Sequence, residues 1–136
     1  MAVVEYSGNR SKSREWAMEF RRNILEHELT PNCPYFLIVL PDRIFIWKDA
    51  GVEPELVEPD FEVDATPFFS RYFDLRDIKP GQMHRGIFEL YVRSWLQELV
   101  YFGLRPEIPD EQRRVLIESG LMDAFKNGDI SRMSLV

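Results

Sequence analysis

Three carboxylates between positions 60 and 64 are spaced as ligands of one metal ion could be. Asp60, Glu62 and Asp64 alternate with Phe61 and Val63, which predicts a short strand whose acidic side chains share one face. Carboxylate oxygens on one face can share a divalent cation. The same pattern also suits a solvated strand edge whose charges discourage pairing with another strand, and this second interpretation is the one we favour.

Basic residues gather near the start of the chain. Arg10, Lys12, Arg14, Arg21 and Arg22 are five bases against three acids among the first 22 residues. They fall in a predicted loop and in the helix after it, where they can hold the phosphates of DNA through charge pairing and counterion release. The alternative is an ordinary solvated helix face on which arginines pair with glutamates of the same helix.

A predicted helix at residues 86–103 is unusually rich in aromatic side chains. Its apolar stripe consists of Phe88, Tyr91, Val92, Trp95, Leu96, Leu99 and Phe102. Together with Tyr101, these residues wrap more of the helix than one buried face needs. Core packing explains most of them. The remainder, between Phe88 and Phe102, predicts an exposed patch for a homodimer or for a protein partner.

Other catalytic signals are absent from the sequence. Cys33 is the single cysteine, which excludes an internal disulfide and a cysteine-based zinc site. The two histidines, His27 and His84, lie far apart in sequence. No glycine-rich phosphate loop and no serine in a nucleophile-elbow motif is present. Hydrolysis by a side-chain nucleophile therefore has no support.

The composition predicts one folded domain. The chain has 136 residues, 45% of them hydrophobic, and a formal net charge of −6, which weakens any expectation of broad nucleic-acid binding. No apolar run approaches the roughly 20 residues needed to span a bilayer. The first ten residues lack the basic and apolar regions of a signal peptide. We therefore expect a cytoplasmic protein that does not enter a membrane.

The strongest structural signal is the stretch of residues 35–48. Two apolar runs without polar alternation flank Pro41 and Asp42, which predicts a hairpin covered on both faces. Ala2–Tyr6 reads as a strand, and residues 13–29 read as an amphipathic helix. Three further helices are expected at residues 86–103, 106–119 and 121–126.

These elements predict an α+β fold: a small sheet with a central buried hairpin flanked by helices, and a helical C-terminal lobe. We expect a single domain over residues 1–136. Within it, residues 1–48 form the strand–helix–hairpin core, residues 49–85 an acidic and aromatic connector, and residues 86–136 the helical lobe.

The order of strand, turn, helix and buried strand, with a glutamate near the end of the first strand, resembles the second half of the PD-(D/E)xK nuclease core. The residues that carry the resemblance are Val3-Val4-Glu5-Tyr6-Ser7-Gly8, the helix of residues 14–29 and the hairpin of residues 35–47. They are similar to the N-terminal endonuclease-type domain of type I restriction subunits and their stand-alone relatives. The resemblance implies that Glu5 is a ligand of Mg²⁺, which activates water for attack on a DNA phosphodiester.

The sequence departs from the family's pattern at two motif positions. Ser7 stands where the family has a lysine, and a hydroxyl cannot supply the positive charge that steadies a hydroxide nucleophile. Lys12 can replace that lysine, because some members of the family present it from the following helix. The family's aspartate, on the preceding strand, has no counterpart because only four residues precede Glu5. Glu5 also has a simpler interpretation, as a polar residue near a strand end.

Two functions of different class follow. The first is a truncated or degenerate relative that acts as a binding or assembly module through its aromatic helix and for which no cofactor is indicated. The second is a Mg²⁺-dependent nuclease, in which Glu5 and Lys12 are catalytic, Glu5 binds the metal and the four arginines between positions 10 and 22 hold DNA. The missing aspartate, the missing lysine and the acidic net charge favour the first.

Overall fold

The computed structural model describes residues 2–6, 14–27, 35–48, 56–70, 85–126 and 130–135. Five strands form one sheet in the order β4–β3–β2–β1–β5. The strands are β1 (Ala2–Tyr6), β2 (Tyr35–Val39), β3 (Arg43–Lys48), β4 (Phe61–Asp64) and β5 (Ile130–Leu135). The helices are α1 (Arg14–His27), α2 (66–70), α3 (Arg85–Phe102), α4 (Asp110–Glu118) and α5 (Leu121–Lys126). The α+β class predicted from the sequence is confirmed.

The β2–β3 hairpin lies at the centre of this sheet, as predicted. All five residues of β2 are buried, and so are the four inner residues of β3. The backbone N–H of Leu40 donates to the carbonyl of Arg43 at 2.8 Å and closes the turn at Pro41 and Asp42. Because neither strand alternates polar with apolar residues, each needs cover on both faces, and helices supply it.

Each face of the hairpin has its own hydrophobic core. On one face, Phe36, Ile38 and Trp47 pack with Ala17 of α1. On the other face the core is larger and draws on α2, α3, α4 and α5. Its members from the sheet are Tyr35, Leu37, Val39, Ile44, Ile46 and Val63. The predicted C-terminal helices therefore form one layer on the sheet and share its core.

Strand β1 is parallel to β2, because α1 carries the chain back between them. On its other side β1 is parallel to β5, with a register irregularity between Ala2 and Val3. The sequence predicts a helical lobe over residues 86–136, with no strand in it. For Ile130–Leu135 that prediction is wrong, because these residues form β5. The backbone of this segment pairs with β1, and its local sequence pattern does not predict that pairing.

The end of α3 lies where the sequence predicts it, whereas the start of α4 does not. Gly103 follows α3 with φ 75°, and its N–H donates to the carbonyl of Leu99 at 3.3 Å, as expected for a left-handed helix end. The next helix begins at Asp110 rather than at Pro106, because the chain between them turns back toward α3. The predicted acidic strand is present as β4, at one edge of the sheet.

Candidate functional site

Glu5 lies within the sheet, on a strand with neighbours on both sides. Its register partners on the neighbouring strands are Ile38 in β2 and Ser134 in β5. Strand β5 has the sequence ISRMSL and contains no carboxylate. The two residues that flank Glu5 across the sheet are therefore non-acidic, whereas Mg²⁺ is usually bound through one or two carboxylates in addition to phosphate oxygens.

The predicted basic residues do not form one exposed patch in the part of the chain that the structure describes. Arg10 and Lys12 lie outside it. Arg14 is exposed, whereas Arg22 is half-buried. Arg21 is only 1% exposed, and its guanidinium carbon lies 5.9 Å from the ring centroid of Trp47 in β3. The expectation that Arg21 stands on the solvated face of α1 is wrong, and its burial leaves it no direct access to a phosphate.

The position of Arg21 could have been found from its spacing. It follows Ala17 by four residues, which places the two on one face of the helix. Ala17 is fully buried against the sheet. A long arginine stem can cover apolar surface in such a place, and the flat guanidinium suits an aromatic ring.

The acidic strand has partners within the protein. Glu62 accepts hydrogen bonds from Arg14 Nη2 at 2.6 Å and from Arg43 Nη1 at 2.9 Å, so its carboxylate joins α1 to β3 and β4. The hydrogen bond and the charge of Glu62 raise the pKa of the Arg14 guanidinium above its ordinary value. Asp60 accepts from the backbone N–H of Lys48 at 2.6 Å, and Asp64 from that of Thr66 at 2.9 Å. Among the described residues, no group of three His, Cys, Asp or Glu is placed to hold a metal ion.

The aromatic helix divides its side chains between the core and solvent. Phe88, Tyr91 and Trp95 are buried, as the stripe predicts. Phe102, which continues the same stripe, is 85% exposed, and Tyr101 before it in the sequence is 76% exposed. Both follow Leu99, which is the last buried residue of α3.

An apolar cleft opens between α2 and the end of α3. It has a volume of about 400 Å³. The apolar side chains that line it belong to Pro67, Phe68, Trp95, Leu99, Leu104 and Ile108. The rings of Phe68 and Trp95, with centroids 5.2 Å apart, form part of its wall. A shallower depression bounded by Phe102 adjoins it. A concave, mostly apolar surface with few polar groups is the usual form of a binding site.

Charged residues stand along the rim that the cleft shares with the shallower depression. Arg105 forms an ion pair with Glu98, and its Nη1 lies 3.8 Å from Glu107 Oε1. Arg113 Nη2 donates to the carbonyl of Arg105 at 2.7 Å and holds the loop that carries these charges. This group was not predicted from the sequence. Its signal was the predicted helix end at Gly103, because a reversal there returns the following residues to the last turns of α3.

Comparison of the chain with protein-family models, with curated proteins and with solved structures found no match. Among the helices that the structure describes, none combines the length and the apolar composition required to cross a lipid bilayer.

Proposed function

We propose that the chain is a catalytically incomplete restriction-endonuclease-like domain that acts in the cytoplasm as a binding or assembly module. Its binding surface is the aromatic end of α3, which we define as Tyr101, Phe102 and the adjoining cleft. The partner is a protein, either another chain or a second copy of this one.

The observation that carries this proposal is the exposure of two neighbouring aromatic side chains, 76% for Tyr101 and 85% for Phe102. Aromatic residues are enriched at protein interfaces, where they supply most of the binding free energy when they are buried. Single exposed apolar residues are ordinary on a protein surface. Phe102 also borders the depression that adjoins the apolar cleft, and an exposed aromatic side chain beside an apolar concavity is typical of an interaction site.

The nuclease lineage is supported by the first third of the chain. Strand β1 pairs directly with β2, and α1 connects the two strands in the chain. Strand β2 continues into the buried hairpin. Catalytic incompleteness is supported by the surroundings of Glu5, whose neighbours across the sheet are Ile38 and Ser134. Ser7, in place of the family's lysine, supports the same conclusion.

The proposal is tested by comparing the wild-type chain with a Tyr101→Ser/Phe102→Ser double variant. Leu90→Ser is the matched control, because Leu90 is also exposed on α3 but lies about 18 Å along the helix from Phe102. Self-association is followed by light scattering over a concentration series. Binding of other chains is measured by selecting peptides from a random library on the wild-type chain. Peptides that also bind the double variant are removed by counter-selection.

We expect either self-association or an enriched family of peptides, lost in the double variant and retained in Leu90→Ser. A wild-type chain that stays monomeric and enriches no peptide beyond the double variant would refute the proposal. Circular dichroism of the three proteins shows whether the substitutions leave the fold unchanged.

A Mg²⁺-dependent nuclease acting on DNA is the second candidate. It is favoured by the place of Glu5, one residue before the end of β1 and opposite Ile38 in the parallel strand. The test is incubation of the protein with supercoiled plasmid and Mg²⁺ or Mn²⁺, beside Glu5→Ala and Lys12→Ala variants. Cleavage that both substitutions abolish would support this candidate. An intact plasmid, or cleavage that survives Glu5→Ala, would exclude Glu5 as the metal ligand of a nuclease.

A further inference from the structure

Among the described residues, the side chains that line the cleft include more carboxylates than guanidinium groups. Glu98 and Glu107 contribute two carboxylates, and Arg105 contributes one guanidinium. Arg105 and Glu98 are each 25% exposed and form an ion pair, whereas Glu107 is 66% exposed. The guanidinium is therefore largely neutralised by Glu98. Glu107 is the most exposed of these three groups, with its Oε1 3.8 Å from Arg105 Nη1. The guanidinium of Arg113 binds the carbonyls of Arg105 and Pro106 on the same loop.

The C-terminal end of α3 contributes negative partial charge. A helix ends with carbonyl groups that have no partner in the helix, equivalent to about half a negative charge. The last turn of α3 contains no basic residue. One carbonyl of that region, on Leu99, accepts a hydrogen bond from Gly103. The carbonyl end of the helix therefore has no basic side chain of its own in that turn.

The exposed aromatics favour the same kind of ligand. The face of an aromatic ring is negative, and it attracts a cation placed within about 6 Å of its centre. Tyr101 and Phe102 are the exposed rings at this point of the chain. Phe102 borders the depression that also contains Glu98, Arg105 and Glu107. Carboxylate, helix end and ring faces therefore all favour positive charge.

We propose that the occupant of this surface is a segment of a protein partner that carries aliphatic side chains and at least one basic residue. The inference rests on the proposed function and names its partner class. The aliphatic side chains fill the cleft between α2 and α3. The basic side chain lies over Phe102 and pairs with Glu107, and arginine suits this place better than lysine because its planar guanidinium both stacks on a ring and binds a carboxylate.

The overall charge of the chain argues against the other occupants. A second copy would bring the same excess of carboxylates to the contact, and the chain as a whole has a net charge of −6. Like charges placed together across an interface oppose association. A nucleic acid is repelled for the same reason, because its binding depends on phosphates neutralised by basic residues.

The test uses a fluorescent synthetic peptide with leucines at helical spacing and arginines between them, and a second peptide in which glutamines replace the arginines. Binding is measured by fluorescence anisotropy with the wild-type chain and two variants, Glu107→Lys and Glu19→Lys. Glu19 is exposed on α1, which packs on the opposite face of the sheet. Because both variants change the net charge by the same amount, Glu19→Lys controls for attraction by the overall charge.

We expect the arginine peptide to bind the wild-type chain more tightly than the glutamine peptide. Glu107→Lys should weaken that binding about three- to tenfold, because the substitution removes one rim attraction and adds a repulsion. Glu19→Lys should leave it unchanged. Raising the salt concentration from about 0.05 M to about 0.5 M should reduce the difference between the two peptides, since rim charges are screened.

Equal effects of the two lysine variants, or equal binding of the two peptides, would overturn the inference. So would self-association of the wild-type chain through Phe102, although the proposed function would then stand. The inference alone also fails if the peptides whose binding depends on Tyr101 and Phe102 are neutral or acidic. If no peptide and no second copy binds at this surface, both proposals fail together.

Discussion

Replacing Gly120 by alanine should destabilise the protein through two separable effects. Gly120 lies between α4 and α5 with φ 79°, a left-handed conformation that residues with a Cβ rarely adopt. A Cβ built on it would lie 2.7 Å from the hydroxyl oxygen of Tyr35. That hydroxyl is buried and donates to the carbonyl of Ser119 at 2.9 Å. The substitution therefore strains the backbone and also displaces a buried hydrogen bond between β2 and the end of α4.

The two effects have different magnitudes. The left-handed conformation costs an alanine about 1–2 kcal/mol, and the reduced freedom of the unfolded chain returns about 0.4–1 kcal/mol, so the net cost is about 1 kcal/mol. Displacing the Tyr35 hydroxyl leaves a buried donor or acceptor poorly bonded, which costs about 1–3 kcal/mol more. The ring cannot move away freely because it belongs to the larger core. We expect Gly120→Ala to lower the free energy of unfolding by about 2–4 kcal/mol.

Gly103 provides the matched control for the backbone effect. Its φ is 75°, but a Cβ built there meets no atom within 4 Å. Gly103→Ala should therefore cost only about 1 kcal/mol. A second control is Gly120→Ala in a Tyr35→Phe background, where the hydroxyl that the methyl group would meet is absent. There the cost of the alanine should also fall to about 1 kcal/mol.

The assay is equilibrium unfolding in urea, followed by the fluorescence of the three tryptophans. The stability difference is read from the midpoint at constant slope. Equal destabilisation by Gly120→Ala and Gly103→Ala would contradict this prediction, because it would mean that the Tyr35 contact costs nothing. An unchanged cost of Gly120→Ala in the Tyr35→Phe background would refute it as well.

Two further substitutions test contacts that α1 makes with the sheet. Arg21→Ala should lower the free energy of unfolding by about 2–4 kcal/mol, because it removes a buried stem and the guanidinium over Trp47, and Arg21→Met should cost less since it keeps most of the stem. A negligible urea midpoint shift for Arg21→Ala would contradict this packing. Glu62→Gln should lower the urea midpoint at low salt, because Arg14 and Arg43 lose a shared carboxylate, and the difference should shrink at about 0.5 M salt. A midpoint difference independent of salt would contradict the ionic origin.

Local patterns in the sequence were sufficient for much of the fold. Two apolar runs around Pro41 predicted the buried hairpin, since a strand without alternation must be covered on both faces. The spacing of apolar residues predicted α1 and α3, and Gly103 predicted where α3 ends. The alternation of Glu62 and its neighbours predicted an acidic strand, and the structure places it at an edge. In each case the cause acts within a few residues.

Part of the candidate site was also predictable, and part was not. The surplus of aromatics on α3 predicted an exposed patch between Phe88 and Phe102, but it did not indicate which of them would be exposed. Helical periodicity puts Leu99 and Phe102 on one stripe, whereas the structure buries Leu99 and leaves Phe102 exposed. Glu98 and Glu107 were not recognised as neighbours, because the loop between them has no periodic signal.

Contacts between segments that are distant in sequence are seen only in the tertiary structure. Strand β5 finds its hydrogen bonds on β1, at the other end of the chain, and so places Ser134 rather than a carboxylate beside Glu5. Arg21 is buried because the sheet brings Trp47 under that face of α1. Periodicity and turn chemistry are properties of neighbouring residues and can be read from the sequence. Which faces meet is determined by the packing free energy of the whole core, to which every element contributes at once.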